Sequence, residues 1–318
     1  MGGDPHEQLD LRGQRVLVTG GHGFLGKHVC AALSAAGAVP LAVGRAHADL
    51  ADVSAVHRMF ERLDDPPLVI HAAAVGGGIG WMKAHPATAL AGNLLANTNV
   101  LEVARVRGVR RLLGVSSACA YAKLASQPMV ETEVYEGEPE PTNGPYGHSK
   151  RILMRHGAAL FEEFGFDACF AIPTNMFGPG ESFDPVRSHV VGALVRRFAE
   201  AQAAKVPVVT CWGTGKATRD LLFAPDAGRF LVKLLATGGG AEPINMGSGV
   251  ERTIAEIATT VAAAAGYQGE LRWDHDKPDG MPRKVLDLQR MHGRLGLVAQ
   301  TPFAQGVRET VECFRSLS

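Results

Sequence analysis

Residues 15–45 read RVLVTGGHGFLGKHVCAALSAAGAVPLAVGR, and this stretch decides the fold. An apolar run, a glycine cluster, a helical pattern, a small-residue turn and a second apolar run follow one another, which is one βαβ unit. Gly20, Gly23 and Gly26 form a GxxGxxG turn directly after RVLVT and at the head of the helical pattern. A pyrophosphate must approach backbone N–H groups at the positive end of a helix, and side chains on the turn would hold it away. A glycine turn by itself also serves as a plain tight connection; its place between strand and helix makes it a dinucleotide signal.

The rhythm recurs at PPLVIHAAA around Val69 and at RRLLGVSSACA around Val115, each after a helix-like stretch. This predicts an α/β chain, a Rossmann-like doubly wound parallel sheet with helices on both faces. Beyond Pro173 the texture changes: the strand-like pieces VPVVTCWG and AEPINMG stand among helices and the Pro/Gly/Asp-rich stretches GPGESFDP and DKPDGMPRK. The expected division is a loose tail over 1–10, a dinucleotide-binding domain over 11–173, and a smaller C-terminal α/β substrate-binding region over 174–318. Part of that last region is expected to return to the first sheet. No repeat of solenoid length and no low-complexity segment interrupts the pattern.

Composition sets wide bounds. The 318 residues are 46% hydrophobic and 20% charged, ordinary for a globular chain. Lys plus Arg equals Asp plus Glu at 32 each, so no basic surplus draws the chain to nucleic acid or an acidic membrane. Cys30, Cys119, Cys169, Cys211 and Cys313 are scattered and without CxxC spacing, against a disulfide framework or a structural zinc. The opening MGGDPHEQLD has no apolar core of a secretory signal, and no later segment is apolar for long enough to span a bilayer. A cytoplasmic protein is expected.

The second apolar run, PLAVGR, ends in Arg45 rather than in an acid. A carboxylate there would bond ribose hydroxyls, whereas a guanidinium pairs with a 2′-phosphate through forked donors, so NADP(H) is the expected cofactor. The alternative is that Arg45 is a solvated strand-end residue. Asp49 and Asp52 follow, and one of these carboxylates suits the adenine amino group. Other positions expected to line the cofactor are Phe24, Leu25, Leu50, Ala72, Ala73 and Pro173. Tyr146 and Lys150 stand four apart in PYGHSK, on one face of a predicted helix. The ammonium is expected to lower the phenol's pKa and to reach the nicotinamide ribose, leaving the phenol as the acid for a carbonyl oxygen. YxxxK is common by chance, but Ser117 at the end of LLGVSS supplies a further donor.

These residues and the strings around them resemble the extended short-chain dehydrogenase/reductases (the NAD-dependent epimerase/dehydratase family), and within them the GDP-L-fucose synthase group. The resemblance runs from the glycine turn almost to the end, and is strongest at SSACAYAKLASQPM, EPTNGPYGHSK, PTNMFGPGESFDP, SHVVGALVRRF, WGTGKATRD and DKPDGMPRKVLD. It implies inversion of carbons 3 and 5 of a GDP-linked 4-keto-6-deoxy sugar, then reduction of the ketone. It places the family's serine on Ser117, its base cysteine on Cys119 and its acid histidine on His189. It further implies Arg197, Arg219 and Lys284 near the diphosphate, Trp212 and Asn175 in the nucleotide pocket, and a homodimer. Without it, Cys119 reads as a buried strand-end thiol, His189 as a surface histidine, Arg197 as part of a solvated helix face and Trp212 as core. Two departures stand out: His22 where an arginine is common in the glycine turn, and Trp81 and Met82 in the glycine-rich VGGGIGWMKAHP. Two further readings remain, an epimerase or reductase of another nucleotide-linked 4-keto sugar, heptoses included, and a non-catalytic NADP(H) sensor.

Overall fold

The run RVLVT forms β1 (Arg15–Thr19), whose last four residues are buried, and α1 (Phe24–Ala35) and β2 (Val39–Val43) complete the first βαβ unit. The computed structural model describes residues 7–63, 67–238, 240–277 and 279–317. The first half continues with α2 (Val53–Glu61), β3 (Leu68–His71), α3 (Ile79–Ala84), α4 (Pro86–Val106), β4 (Leu112–Val115), α5 (Gly144–Phe164) and β5 (Ala168–Pro173). After it come β6 (Asn175–Phe177), α6 (Val190–Ala203), β7 (Val208–Trp212), β8 (Thr218–Phe223), α7 (Ala224–Thr237) and β9 (Pro243–Met246). The chain finishes with β10 (Glu251–Thr253), α8 (Ile254–Ala264), β11 (Glu270–Asp274), β12 (Arg283–Lys284), α9 (Gln289–Leu295) and α10 (Phe303–Ser316).

Six strands form one parallel sheet in the order β2-β1-β3-β4-β5-β9. β3, β4 and β5 are buried along their whole length, as strands covered on both faces must be. α1 packs on α7, and α4 packs on α2 and α5, giving the two helical layers. One continuous apolar core runs through this unit. A smaller core joins α6, α8 and α10 to β6, β7 and β8. Around it β8 holds β10, β12 and β6, and β7 pairs with β11. β9 crosses back to the edge of the main sheet, beside β5.

Of the ten residues expected to form a loose tail, 1–6 lie outside the described residues, while Glu7 and Leu9 are tied to the main unit. Leu9 is buried and its amide donates to Ala236 O at 2.8 Å; Glu7 pairs with Arg110 at 2.9 Å. Apolar burial of Leu9 and Leu11 against the main core supplies the reason.

Beneath the strand ends lies a fully buried polar chain. The Thr19 hydroxyl meets His71 Nδ1 at 2.7 Å, His71 Nε2 meets Asn97 Oδ1 at 3.0 Å, and Asn97 Nδ2 donates to Ser149 O. Oδ1 of Asn97 accepts only, so the His71 proton sits on Nε2 and Thr19 donates to Nδ1. β1, β3, α4 and α5 are thereby tied together, and burial pushes His71 down to about 4.

Candidate active site

The carboxyl ends of the parallel strands open onto one crevice, the place where doubly wound sheets bind ligands. Gly20 follows β1 with φ 69°, and a Cβ there would lie 2.9 Å from the backbone N of Ala73, the turn after β3. A Cβ on Gly26 would run into the carbonyl oxygen of Gly20. Only glycine lets α1 start so close to the turn. No side chain among the described residues caps that helix at Gly23, which leaves the start of α1 suited to a pyrophosphate. Phe24 and Leu25 lie in the first turn of α1. Ala72 and Ala73 donate their amides to Thr19, at its carbonyl and its hydroxyl. Pro173 ends β5.

Around β2 the arrangement differs from expectation. Arg45 does not end the strand; β2 stops at Val43, and Arg45 lies exposed in the turn beyond it. Asp52 caps α2 by accepting from Ser54 N, and Asp49 accepts from Ala51 N. Leu50 gives its carbonyl to Asn99 Nδ2.

Across the crevice, Ser117 follows β4 and caps a short 3-10 turn by accepting from the Cys119 amide at 3.1 Å. Tyr146 and Lys150 project from the first two turns of α5, and the Ser117 hydroxyl hydrogen-bonds to the Tyr146 phenol. Lys150 Nζ lies 5.6 Å from the Tyr146 ring centroid and donates to Val115 O at 2.8 Å. The expected lowering of the phenol's pKa is not what the site produces. Burial raises it well above the usual tyrosine range, Cys119 adds to the rise, and the Ser117 bond only partly offsets it. Burial also brings Lys150 down to about 8. The phenol is thus held protonated, which is the form an acid needs.

Cys119 Sγ is the meeting point of the site. Asn143 Nδ2 donates to it at 3.2 Å, and Lys284 Nζ approaches to 3.6 Å. Lys284 also depresses His189, after the larger effect of burial. His189 stands at the N-terminal boundary of α6 without a side-chain cap bond, with open surface yet closely surrounded by other groups. Ser117, Cys119, Tyr146, Lys150, Lys284 and His189 are therefore linked in one cluster. Lys284, expected beside a diphosphate, stands against the sulfur because β12 pairs with β8 in the register Lys284 opposite Arg219. Asn143, three residues before Tyr146, was missed; its signal was its place in the string EPTNGPY. Its Oδ1 is buried without a partner among the described residues, open to a ligand hydroxyl.

Arg219 is anchored through Nη1 to the carbonyls of Thr218 and Met281, at 2.7 Å each. Asn175 opens β6, the neighbour of β8. Arg197 and Trp212 lie further out: Arg197 donates to Thr210 O, and Trp212 is 66% exposed rather than core. The WGTG turn is held by Asp279, which accepts from Thr214 N and Oγ1. Trp81 and Met82 are buried and pack with Val75 against Tyr146, and Gly78 N–H donates to Arg187 O at 2.8 Å, two residues before His189. A larger cavity of about 270 Å³ between Phe177, Phe223, Arg252 and Phe303 contains none of the cluster. No grouping of His, Cys, Asp and Glu suited to a metal ion occurs among the described residues.

Known proteins resemble this chain over most of its length. Residues 16–247 match the model of the NAD dependent epimerase/dehydratase family. Among curated relatives, a probable GDP-L-fucose synthase 1 of Oryza sativa subsp. japonica is 38% identical, covering 98% of this chain and 95% of its own. The GDP-L-fucose synthase of Escherichia coli is 36% identical over 95% of this chain and 96% of its own. Among solved structures, a GDP-L-fucose synthetase of Naegleria fowleri bound to NADP superposes with a TM-score of 0.88 at 28% identity, covering 98% and 97%.

Proposed function

We propose, for a chain that belongs to the NAD dependent epimerase/dehydratase family, the NADPH-dependent 3,5-epimerisation and 4-keto reduction of GDP-4-keto-6-deoxy-D-mannose to GDP-L-fucose. The observation that carries this reading is Cys119 Sγ, held by Asn143 and Lys284 within one cluster with Tyr146 and Ser117. A plain ketoreductase has no use for a thiol there.

The uncapped start of α1 and the glycines whose Cβ atoms would fill the crevice fit a dinucleotide; the names of the relatives and the NADP of the Naegleria structure support its identity. Bound NADPH supplies the hydride for carbon 4. Gly20, Gly23, Gly26 and the first turn of α1 hold its pyrophosphate, and Lys150 its nicotinamide ribose. Ser117 and Tyr146 bond the 4-keto oxygen and stabilise the enolate that forms when the neighbouring carbon loses its proton. Cys119 Sγ takes that proton, with the Lys284 ammonium beside the sulfur. His189, at the open mouth, takes a proton from solvent and returns it to the opposite ring face. Tyr146 Oη finally protonates the oxygen at carbon 4. Arg219 and Arg197 suit the diphosphate, Trp212 the base and Asn175 the sugar side of the pocket.

The second reading keeps this chemistry but changes the sugar, to another nucleotide-linked 4-keto sugar. It draws on Trp81 and Met82, whose apolar wall stands directly against Tyr146. A homodimer is part of the proposal: α4 and α5 pack together and expose Leu95, Val106, Ile152 and Phe164. Light scattering is expected to give twice the 33.6 kDa of one chain. A cytoplasmic location accords with five free cysteines and with no helix, among the described residues, long and apolar enough to cross a membrane.

The test is to incubate the protein with GDP-4-keto-6-deoxy-mannose and NADPH in D2O, following NADPH oxidation and the label at carbons 3 and 5. Deuterium at both carbons with NADPH consumed is the expected result. No oxidation by folded, cofactor-bound protein rejects the leading reading, and turnover of a dTDP-linked 4-keto sugar in its place selects the second.

A further inference from the structure

Residues 178–189 run from the end of β6 to the start of α6, and their path decides where the imidazole of His189 stands. The segment is pinned where it begins: Pro179 O accepts from His28 Nε2 of α1 at 2.9 Å, and Gly180 N–H donates to Cys313 Sγ of α10 at 3.3 Å. It turns back at Asp184, whose Oδ1 accepts from the Val186 and Arg187 amides at 2.9 and 3.0 Å and whose carbonyl accepts from Ser188 N at 2.9 Å. His189 then opens α6 without a side-chain cap bond, so the first amides of that helix need acceptors from elsewhere.

Glu181 stands where one is needed. Its side chain is 6% exposed, and its Oε1 accepts from Gly178 N at 3.4 Å, closing the root of the segment. The amide of Gly192, in the first turn of α6, acts on the same carboxyl. A Cβ on Gly192 would lie 2.7 Å from Glu181 Oε2 and 2.8 Å from Ser182 O, so the helix comes this close only because that position has no side chain. Burial pushes the acid up to about 8, against the pull of the two amides. It is therefore mostly uncharged at pH 7, and its Oε2 has no hydrogen-bond partner among the described residues. A polar group buried in this way costs stability; what it gains here is a brace between the pinned root of the segment and the helix that follows it.

Resting on the reading of Cys119 as base and His189 as acid, we infer that Glu181 is a positioning residue for His189. Its carboxyl fixes the first turn of α6, and with it the imidazole, relative to Cys119. Lys284 marks how close the two ends are, since it approaches Cys119 Sγ and also acts on His189. With the imidazole out of place, Cys119 still removes its proton: the carbon–hydrogen bond breaks, the thiol forms, and the electron pair rests on the enolate held by Ser117 and Tyr146. In D2O the thiol trades that proton for deuterium. Returning it to the face it left regenerates the substrate, labelled but not inverted.

The test follows the full-length protein with GDP-4-keto-6-deoxy-mannose and NADPH in D2O, reading inverted product and label in recovered substrate against a protein-free control. Glu181→Ala is expected to lower kcat for inversion about thirtyfold, with KM and NADPH affinity within about twofold. It is also expected to leave deuterated, uninverted substrate, as His189→Ala does. Glu181→Gln, equal in length and uncharged, is expected to bring turnover back to within about threefold of the wild type. Gly192→Ala crowds the carboxyl while favouring the helix, and is expected to give the same labelled substrate even where Glu181→Ala fails to fold. Slower turnover without labelled substrate would make Glu181 merely structural, and wild-type rates in both alanine variants would remove it from the site. A Glu181→Gln protein no better than Glu181→Ala would also overturn the brace; in all three cases the functional reading stands. If His189→Ala itself inverts the sugar normally, the acid is misassigned and both fall together.

Discussion

The two walls of the crevice are built by different means. On one side, the glycine turn after β1 and the uncapped start of α1 are set by buried, parallel strands. On the other, Cys119 meets Lys284 across 165 positions of chain, with Asn143 and His189 arriving from two more segments. Its rigidity comes from cross-links: Asp279 on the WGTG turn, Arg219 on the Met281 carbonyl, and Tyr121 Oη donating to Asn245 Oδ1 at 2.7 Å. A defect in the first wall is steric; in the second it is the loss of a donor. Binding of the dinucleotide and handling of the sugar are therefore expected to be separable by mutation.

Tyr146→Phe gives the sharpest separation. With the proton donor gone, NADPH oxidation is expected to fall about a thousandfold, while dinucleotide affinity by fluorescence titration stays unchanged; near-normal turnover would mean that the phenol is not the acid. The foundation of the first wall is exposed by acid. His71 is held neutral, its folded pKa of about 4 lying below the ordinary 6.5. Its contribution to stability is complete above pH 6.5 and is lost as pH falls toward 4, about 3 kcal/mol in all. Urea unfolding across that range is expected to show this slope, and His71→Gln to start lower but lack it; equal slopes would place the acid sensitivity elsewhere. Gly26→Ala drives a methyl against the Gly20 carbonyl and is expected to cost about 2 kcal/mol of stability and to weaken dinucleotide binding. Unaltered affinity in that variant would remove the glycine turn from the cofactor site. Asn143→Ala, a single donor lost from the second wall, is expected to slow deuterium incorporation about tenfold with dinucleotide affinity intact. A loss of binding there instead would erase the contrast between the walls.

This contrast also marks what could be read from residues alone. The βαβ unit over 15–45 was legible because strand, turn and helix are contiguous and each glycine has a local steric task. Tyr146 and Lys150 were legible because a helix converts a spacing of four into one face. Arg45 was placed on a strand that ends two residues earlier, since Gly44 breaks the ladder after Val43. The approach of Lys284 to Cys119 is not legible in the residues, because the pairing of β12 with β8 leaves no trace in a two-residue strand. The phenol's pKa was expected to fall, but spacing does not report desolvation, and burial outweighs every favourable contact in that pocket.

The bond from Gly78 N–H to Arg187 O joins the start of α3, whose Trp81 and Met82 pack with Tyr146, to the peptide that leads into His189. It is a main-chain seam between the reducing and the proton-returning ends of the crevice, backed by the Arg187 guanidinium over the Trp81 ring. Its amide proton is consequently a built-in gauge: the rate at which it trades for solvent deuterium reports how often the two ends part company, with no label attached and no side chain altered.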